Sequence, residues 1–128
     1  MKNPAASPAR GVRVLVVDDN QDTANGMAKL LKLSGHDVWV AYNAEDAMSV
    51  AREHRPEVML LDIGLPGTDG YELASNLRRE EWSKDSVLIA VSGYGEEQAR
   101  DRSKAAGFNH HLVKPVNFDT ILALIGKS

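Results

Sequence analysis

Residues 14–20 read VLVVDDN. Four apolar residues, three of them β-branched, have the composition of a buried strand. They run straight into Asp18 and Asp19, two like charges at the end of a buried element, and such charges need compensation. Working outward, GVRVLVVDD is the first strand. Residues 21–34 carry Ala24, Met27, Ala28 and Leu31 at helical spacing, with Gly35 closing the helix at C′. HDVWVAY is a second strand. Asn43 caps a helix running to about His54, with Glu45 and Asp46 in its first turn, and Pro56 breaks it. EVMLLDI is a third strand. In the loop GLPGTDG, Asp69 stands at capping-box spacing from Glu72 and opens a third helix. SVLIAVS is a fourth strand, followed by a helix from about Gly95 to Ala106 that ends at Gly107. HHLV is a short fifth strand, which Pro115 stops. Asn117 caps a last helix, FDTILALI.

These are five βα units without an internal repeat. The strands are apolar without alternation, which suits a parallel sheet covered on both faces. The expected class is α/β, a doubly wound five-stranded parallel sheet with helices on both faces. Ligands of such sheets bind outside the carboxyl ends of the strands. Asp18 and Asp19 follow the first strand, Asp62 the third, Ser92 the fourth, and Lys114 with Pro115 the fifth. Three carboxylates, one hydroxyl and one ammonium are thereby directed to one edge.

The totals narrow the function classes. The chain has 128 residues, 43% hydrophobic and 26% charged, with a net charge of −3. That fits one soluble domain and argues neither for nor against a charged partner. There is no cysteine, hence no disulfide framework and no thiolate metal site. No apolar run is long enough for a membrane span, and the start MKNPAASPARG lacks a signal-peptide core. Residues 1–11 read as a disordered lead or linker, residues 12–128 as the domain, and a cytoplasmic location is the expectation.

Three carboxylates within a few ångströms repel one another, and a divalent cation removes the conflict. Mg²⁺ takes oxygen ligands, commonly one or two carboxylates with a phosphate oxygen. Lys114 suits a phosphate oxygen as a compact charge, and Ser92 can donate to another. A carboxylate nucleophile with a metal, a cation and a donor is the equipment for aspartyl-phosphate chemistry.

Those residues carry a resemblance. Asp18-Asp19, Asp62 within LLDIGLPGTDGYEL, Ser92 within AVSGYG and Lys114-Pro115 within HLVKP are similar to the motifs of the response regulator receiver domain of bacterial two-component signalling. The order and spacing agree over residues 12 to about 126. The resemblance implies the flavodoxin-like strand order 2-1-3-4-5. It implies that Asp62 takes a phosphoryl group from a histidine kinase or histidine phosphotransfer protein. It further implies that Asp19 and Asp62 bind Mg²⁺ directly, with Asp18 acting through water and the Gly64 backbone carbonyl completing the protein ligands. Ser92 then bonds the phosphoryl group, Lys114 pairs with it, and Pro115 follows a cis bond. The switching surface is helix four, strand five and helix five, its downstream protein target unspecified. Direct nucleic-acid or membrane binding is not implied. The domain signals and is not an enzyme beyond its own phosphorylation and dephosphorylation.

Departures also stand in the sequence. His111 occupies the position where receivers often carry Tyr or Phe as a switch, Gly64 offers no side chain two residues after Asp62, and Tyr94 lies two after Ser92. Gly93 replaces a common alanine. Singly, each residue has an ordinary reading: Asp18-Asp19 as helix caps, Asp62 as a turn former, Ser92 and Lys114 as surface residues. His110 and His111 read as half-buried strand residues facing opposite ways, Trp39 as packing on an outer strand, and Trp82 as a surface or cap residue. A haloacid-dehalogenase-type phosphatase would place its acids two apart after the first strand. A flavodoxin would carry a Ser/Thr/Gly-rich loop where NQDTAN stands. A receiver-shaped binding module would not need all five residues. The length suits a stand-alone regulator or a receiver excised from a hybrid sensor kinase.

Overall fold

The computed structural model describes residues 11–65, 69–93 and 99–126. Five strands, β1 (Arg13–Val17), β2 (Asp37–Ala41), β3 (Val58–Asp62), β4 (Val87–Ser92) and β5 (His110–Val113), form one parallel sheet in the order β2-β1-β3-β4-β5. The helices α1 (Gln21–Leu33), α2 (Ala44–His54), α3 (Gly70–Arg78), α4 (Ala99–Ala106) and α5 (Phe118–Gly126) connect and follow them.

The apolar runs divide by parity, as the pleat requires. Leu15, Val17, Met59, Leu61, Leu88 and Ala90 join Ala47 and Ala51 of α2 and Leu73 and Leu77 of α3 in one core. Val14, Val16, Val58, Leu60 and Ile89 join Ala24, Ala28 and Leu31 of α1 and Ile121 and Ile125 of α5 in the other. Each central strand is thus buried on both faces, which is why its sequence does not alternate.

The helix starts follow from their caps. Asn20, Asn43 and Asp69 each accept a backbone N–H three residues on, at 3.1, 2.8 and 2.9 Å. Asn117 does the same for Asp119 and Thr120. Ahead of Pro56, α2 ends on Arg55 in the left-handed region at φ 48°. Its carbonyl accepts both Nε and Nη2 of Arg13.

Three expectations need correction, and one element was not anticipated. Gly11, assigned to the lead, is half-buried with no room for a side chain beside the Gly35 carbonyl, and the amide of Val12 donates to His36 Nδ1. A 3₁₀ turn over Glu81–Asp85 was not foreseen. Trp82 in that turn packs against the α2–α3 core and donates its indole N–H to Glu80, so it is more than a surface or cap residue. His110 is exposed and not half-buried. The expected start of the fourth helix near Gly95 lies outside the described residues, as do residues 1–10 of the expected lead.

Candidate phosphoryl site

The strand register sets the site. Val17 is level with Leu61, Asp62 with Val91, and Ser92 with Val113. The residues at and just beyond these strand ends therefore reach one edge together. Asp18 and Asp62 are nearly buried there, while Asp19 is exposed. One oxygen from each of the three carboxylates falls within a sphere where all lie within 4.8 Å of one another.

Asp18 and Asp62 are held alike. Asp18 Oδ1 accepts the amide of Asn20 at 2.9 Å, and Asp62 Oδ1 accepts the amide of Gly64 at 2.9 Å. These local turns pin each carboxylate and leave its second oxygen directed elsewhere. Both second oxygens face Lys114, whose Nζ donates to Asp62 Oδ2 at 3.1 Å and lies 3.7 Å from Asp18 Oδ2.

The electrostatics follow. Burial pushes the Asp18 carboxyl above its ordinary value; the amide of Asn20 opposes this, and the charge of Asp62 adds to it. Burial alone would lower the Lys114 ammonium, but its bond to Asp62 and the charges of Asp62, Asp18 and Asp19 together outweigh that and raise it. The site holds its cation firmly and one of its acids reluctantly.

Ser92 is fully buried, and its hydroxyl lies 2.7 Å from His111 Nε2. The opposite ring nitrogen of His111 lies 2.7 Å from Ser103 Oγ in α4. The Lys114–Pro115 bond is cis, and the Lys114 amide donates to the Ser92 carbonyl at 2.8 Å, tying the last two strand ends together. A cavity of about 650 Å³ opens beside Asp18, Asp62 and Lys114 and is walled by Met27, Val116 and Ile121 among others.

Asp18, Asp19, Asp62 and Lys114 thus come together as the sequence suggested. Ser92 lies at the same edge with its hydroxyl engaged by His111, and Gly64 contributes its amide to Asp62. Tyr94 lies outside the described residues. Ser103 was missed: a serine inside a charged helix carries no sequence signal for a partner on β5.

The comparisons agree with this geometry. The family model for the response regulator receiver domain matches residues 14–126. The protein PilH of Pseudomonas aeruginosa is 31% identical over 113 residues, covering 88% of this chain and 93% of that protein. The phosphate regulon transcriptional regulatory protein PhoB of the same organism is 33% identical, covering 82% of this chain and 46% of that protein. The crystal structure of the chemotaxis response regulator CheY4 of Vibrio cholerae superposes with a TM-score of 0.84 at 25% identity, covering 91% of this chain and 98% of that one. Set beside the converging acids and lysine, these matches show that the chain belongs to the response regulator receiver domain family, signalling domains and not classical enzymes.

Proposed function

We propose that this chain is a phosphoacceptor in which Asp62 takes a phosphoryl group from a phosphohistidine of a histidine kinase or histidine phosphotransfer protein. The observation that carries the reading is the convergence of Asp18, Asp19 and Asp62 around Lys114 at the carboxyl edge of the sheet. The Asp62 carboxylate attacks phosphorus, the phosphorus–nitrogen bond of the donor breaks, and the imidazole leaves. Lys114 pairs with a phosphoryl oxygen, and the Ser92 hydroxyl donates to another.

The donor set suits Mg²⁺: one oxygen from each of three carboxylates lies within 4.8 Å of the others, and two of those carboxylates, Asp18 and Asp62, are nearly buried. Asp19 and Asp62 would hold the ion, Asp18 would orient its water, and the Gly64 carbonyl would complete the protein ligands. Bound there, Mg²⁺ supplies neutralisation of charge on the phosphoryl oxygens.

The domain in this reading includes Gly11, works in the cytoplasm, and signals through α4, β5 and α5 to a protein target. PilH favours a stand-alone regulator, since the match covers most of that protein. The virulence sensor protein BvgS of Bordetella pertussis favours a receiver within a larger sensor: it is 31% identical over 91% of this chain, and the match covers 10% of that protein.

Beryllofluoride mimics an aspartyl phosphate and tests the reading by ¹⁹F NMR. Bound signals that require both Mg²⁺ and Asp62 are expected, with none in Asp62→Asn. Bound signals that persist in Asp62→Asn would refute it.

A further inference from the structure

We propose that the cavity beside Asp62 is a leaving-group subsite, through which this chain takes its phosphoryl group directly from acyl phosphates whose acyl group is apolar and of aromatic-ring size. The inference rests on the phosphoacceptor reading and names a donor class for the same site. It starts from a mismatch of size. The cavity holds about 650 Å³. At about 30 Å³ for each water-sized group, a phosphoryl group and a hydrated ion occupy roughly a third of that. The remainder is still the size of a small-ligand pocket.

The walls decide what the remainder accepts. Val16 and Leu60 stand two residues before Asp18 and Asp62, on the same face of the pleat, so the cavity continues from the acids back over apolar sheet. Met27 of α1, Ile121 of α5 and Val116 between β5 and α5 supply further apolar surface. Among the described lining residues, the only charged side chains are Asp18, Asp62 and Lys114, and the only other polar ones are Asn20 and Thr23. Asn20 Oδ1 is already spent on the Thr23 amide. A sugar or a nucleobase would leave its own polar groups unpaired here, whereas an apolar ring loses nothing.

The chemistry at the acids decides what joins ring to phosphorus. In-line transfer sends the leaving oxygen away from Asp62, and Met27, Val116 and Ile121 all belong to segments other than the strand that carries Asp62. The Asp62 carboxylate attacks phosphorus, the bond from phosphorus to the acyl oxygen breaks, and its electron pair departs with the carboxylate. No proton is required, because a carboxylate is a stable anion at neutral pH. A phosphate monoester is disfavoured on the same ground. Lys114, the only cationic donor among the described lining residues, is engaged by Asp62 and Asp18, so an alkoxide would have to depart unprotonated.

The test compares benzoyl phosphate with acetyl phosphate at equal, sub-saturating concentration with Mg²⁺. The phosphoryl adduct is followed by intact mass, with Asp62→Asn as the blank. Burial of the ring should make benzoyl phosphate faster by about tenfold or more. Met27→Trp, which fills the cavity from the α1 side, should bring the ratio of the two rates close to one, its fold being verified by circular dichroism. A second readout needs neither reaction nor variant: the inert analogue benzoylmethylphosphonate, with Mg²⁺, should shift the methyl NMR signals of Met27, Val116 and Ile121 in the wild type. Equal rates, or a faster reaction with acetyl phosphate, would overturn the subsite and leave the phosphoacceptor reading intact. So would an analogue that leaves those methyls unmoved, or a benzoyl preference undiminished in Met27→Trp. No adduct from either donor, together with no bound beryllofluoride, would overturn the phosphoacceptor reading and this inference with it.

Discussion

Lys114 donates to Asp62 at 3.1 Å, and this bond crosses from the end of β5 to the end of β3. The lysine is the internal counter-charge of the unmodified site. Its raised value fixes the sign of a pH effect. A raised lysine contributes stability that is complete below its ordinary value of 10.5 and is lost as the pH rises through the higher folded value. The ammonium is partly exposed, so screening limits the contribution to about 1 kcal/mol. Lys114→Met should therefore lower urea stability by about that amount at neutral pH. The gap between wild type and variant should close in strongly alkaline buffer.

Asp18 is predicted to behave in the opposite sense. Its folded value is raised, so the folded state binds this proton more tightly than the unfolded chain does. The penalty is absent below the ordinary value of 3.8, grows as the pH rises from there, and is complete above the raised folded value. In buffer containing chelator, Asp18→Asn should be more stable than wild type by about 0.5–2 kcal/mol at neutral pH. Denaturant titrations across the acid range should show the two converge as the pH falls. Mg²⁺ should narrow the difference by stabilising the wild type.

Gly70 is predicted to be irreplaceable for the shape of the Asp62 loop. A Cβ there would stand 2.7 Å from the Asp62 carbonyl oxygen and collide with Ile63 Cα, both of them backbone that cannot swing aside. Gly70→Ala should cost about 1–3 kcal/mol, the usual range for overpacking. Its thermal midpoint should fall, and beryllofluoride affinity should fall with it, because the strain lands on β3 beside Asp62.

Arg78 is predicted to be the largest single polar contributor on the α3 side. Its guanidinium donates to the carbonyls of Gly107, Ser83 and Ser86 and to Asn109 Oδ1, at 2.6–2.9 Å. It joins the end of α3 to the 3₁₀ turn, the start of β4 and the end of α4. Burial lowers its basicity, so these bonds hold the charge against a desolvation cost. Arg78→Ala orphans several carbonyls and should cost about 3 kcal/mol in urea unfolding. Arg78→Lys should recover little, since one ammonium cannot span the four acceptors.

What the sequence made legible was what local chemistry decides. The caps at Asn43, Asp69 and Asn117 act on amides two or three residues away, so they can be read from adjacent letters. The strands were legible from their unbroken apolar runs, and the acids and Lys114 from their places at strand ends. The Glu81–Asp85 turn escaped because a single 3₁₀ turn has no amphipathic period to detect. The Arg78 hub escaped because three of its acceptors are main-chain carbonyls, which any residue supplies. Ser103 escaped for a related reason: its partner His111 lies on the following element, and only the packing of α4 beside β5 brings the two side chains together.

Intact mass after incubation with acetyl phosphate tests the central claim most directly. With Mg²⁺ present, wild type should gain one phosphoryl group, and Asp62→Asn should gain none. Chelation of the metal should abolish the adduct. An adduct of the same size in Asp62→Asn, or one indifferent to Mg²⁺, would contradict the assignment of Asp62 as the phosphoacceptor.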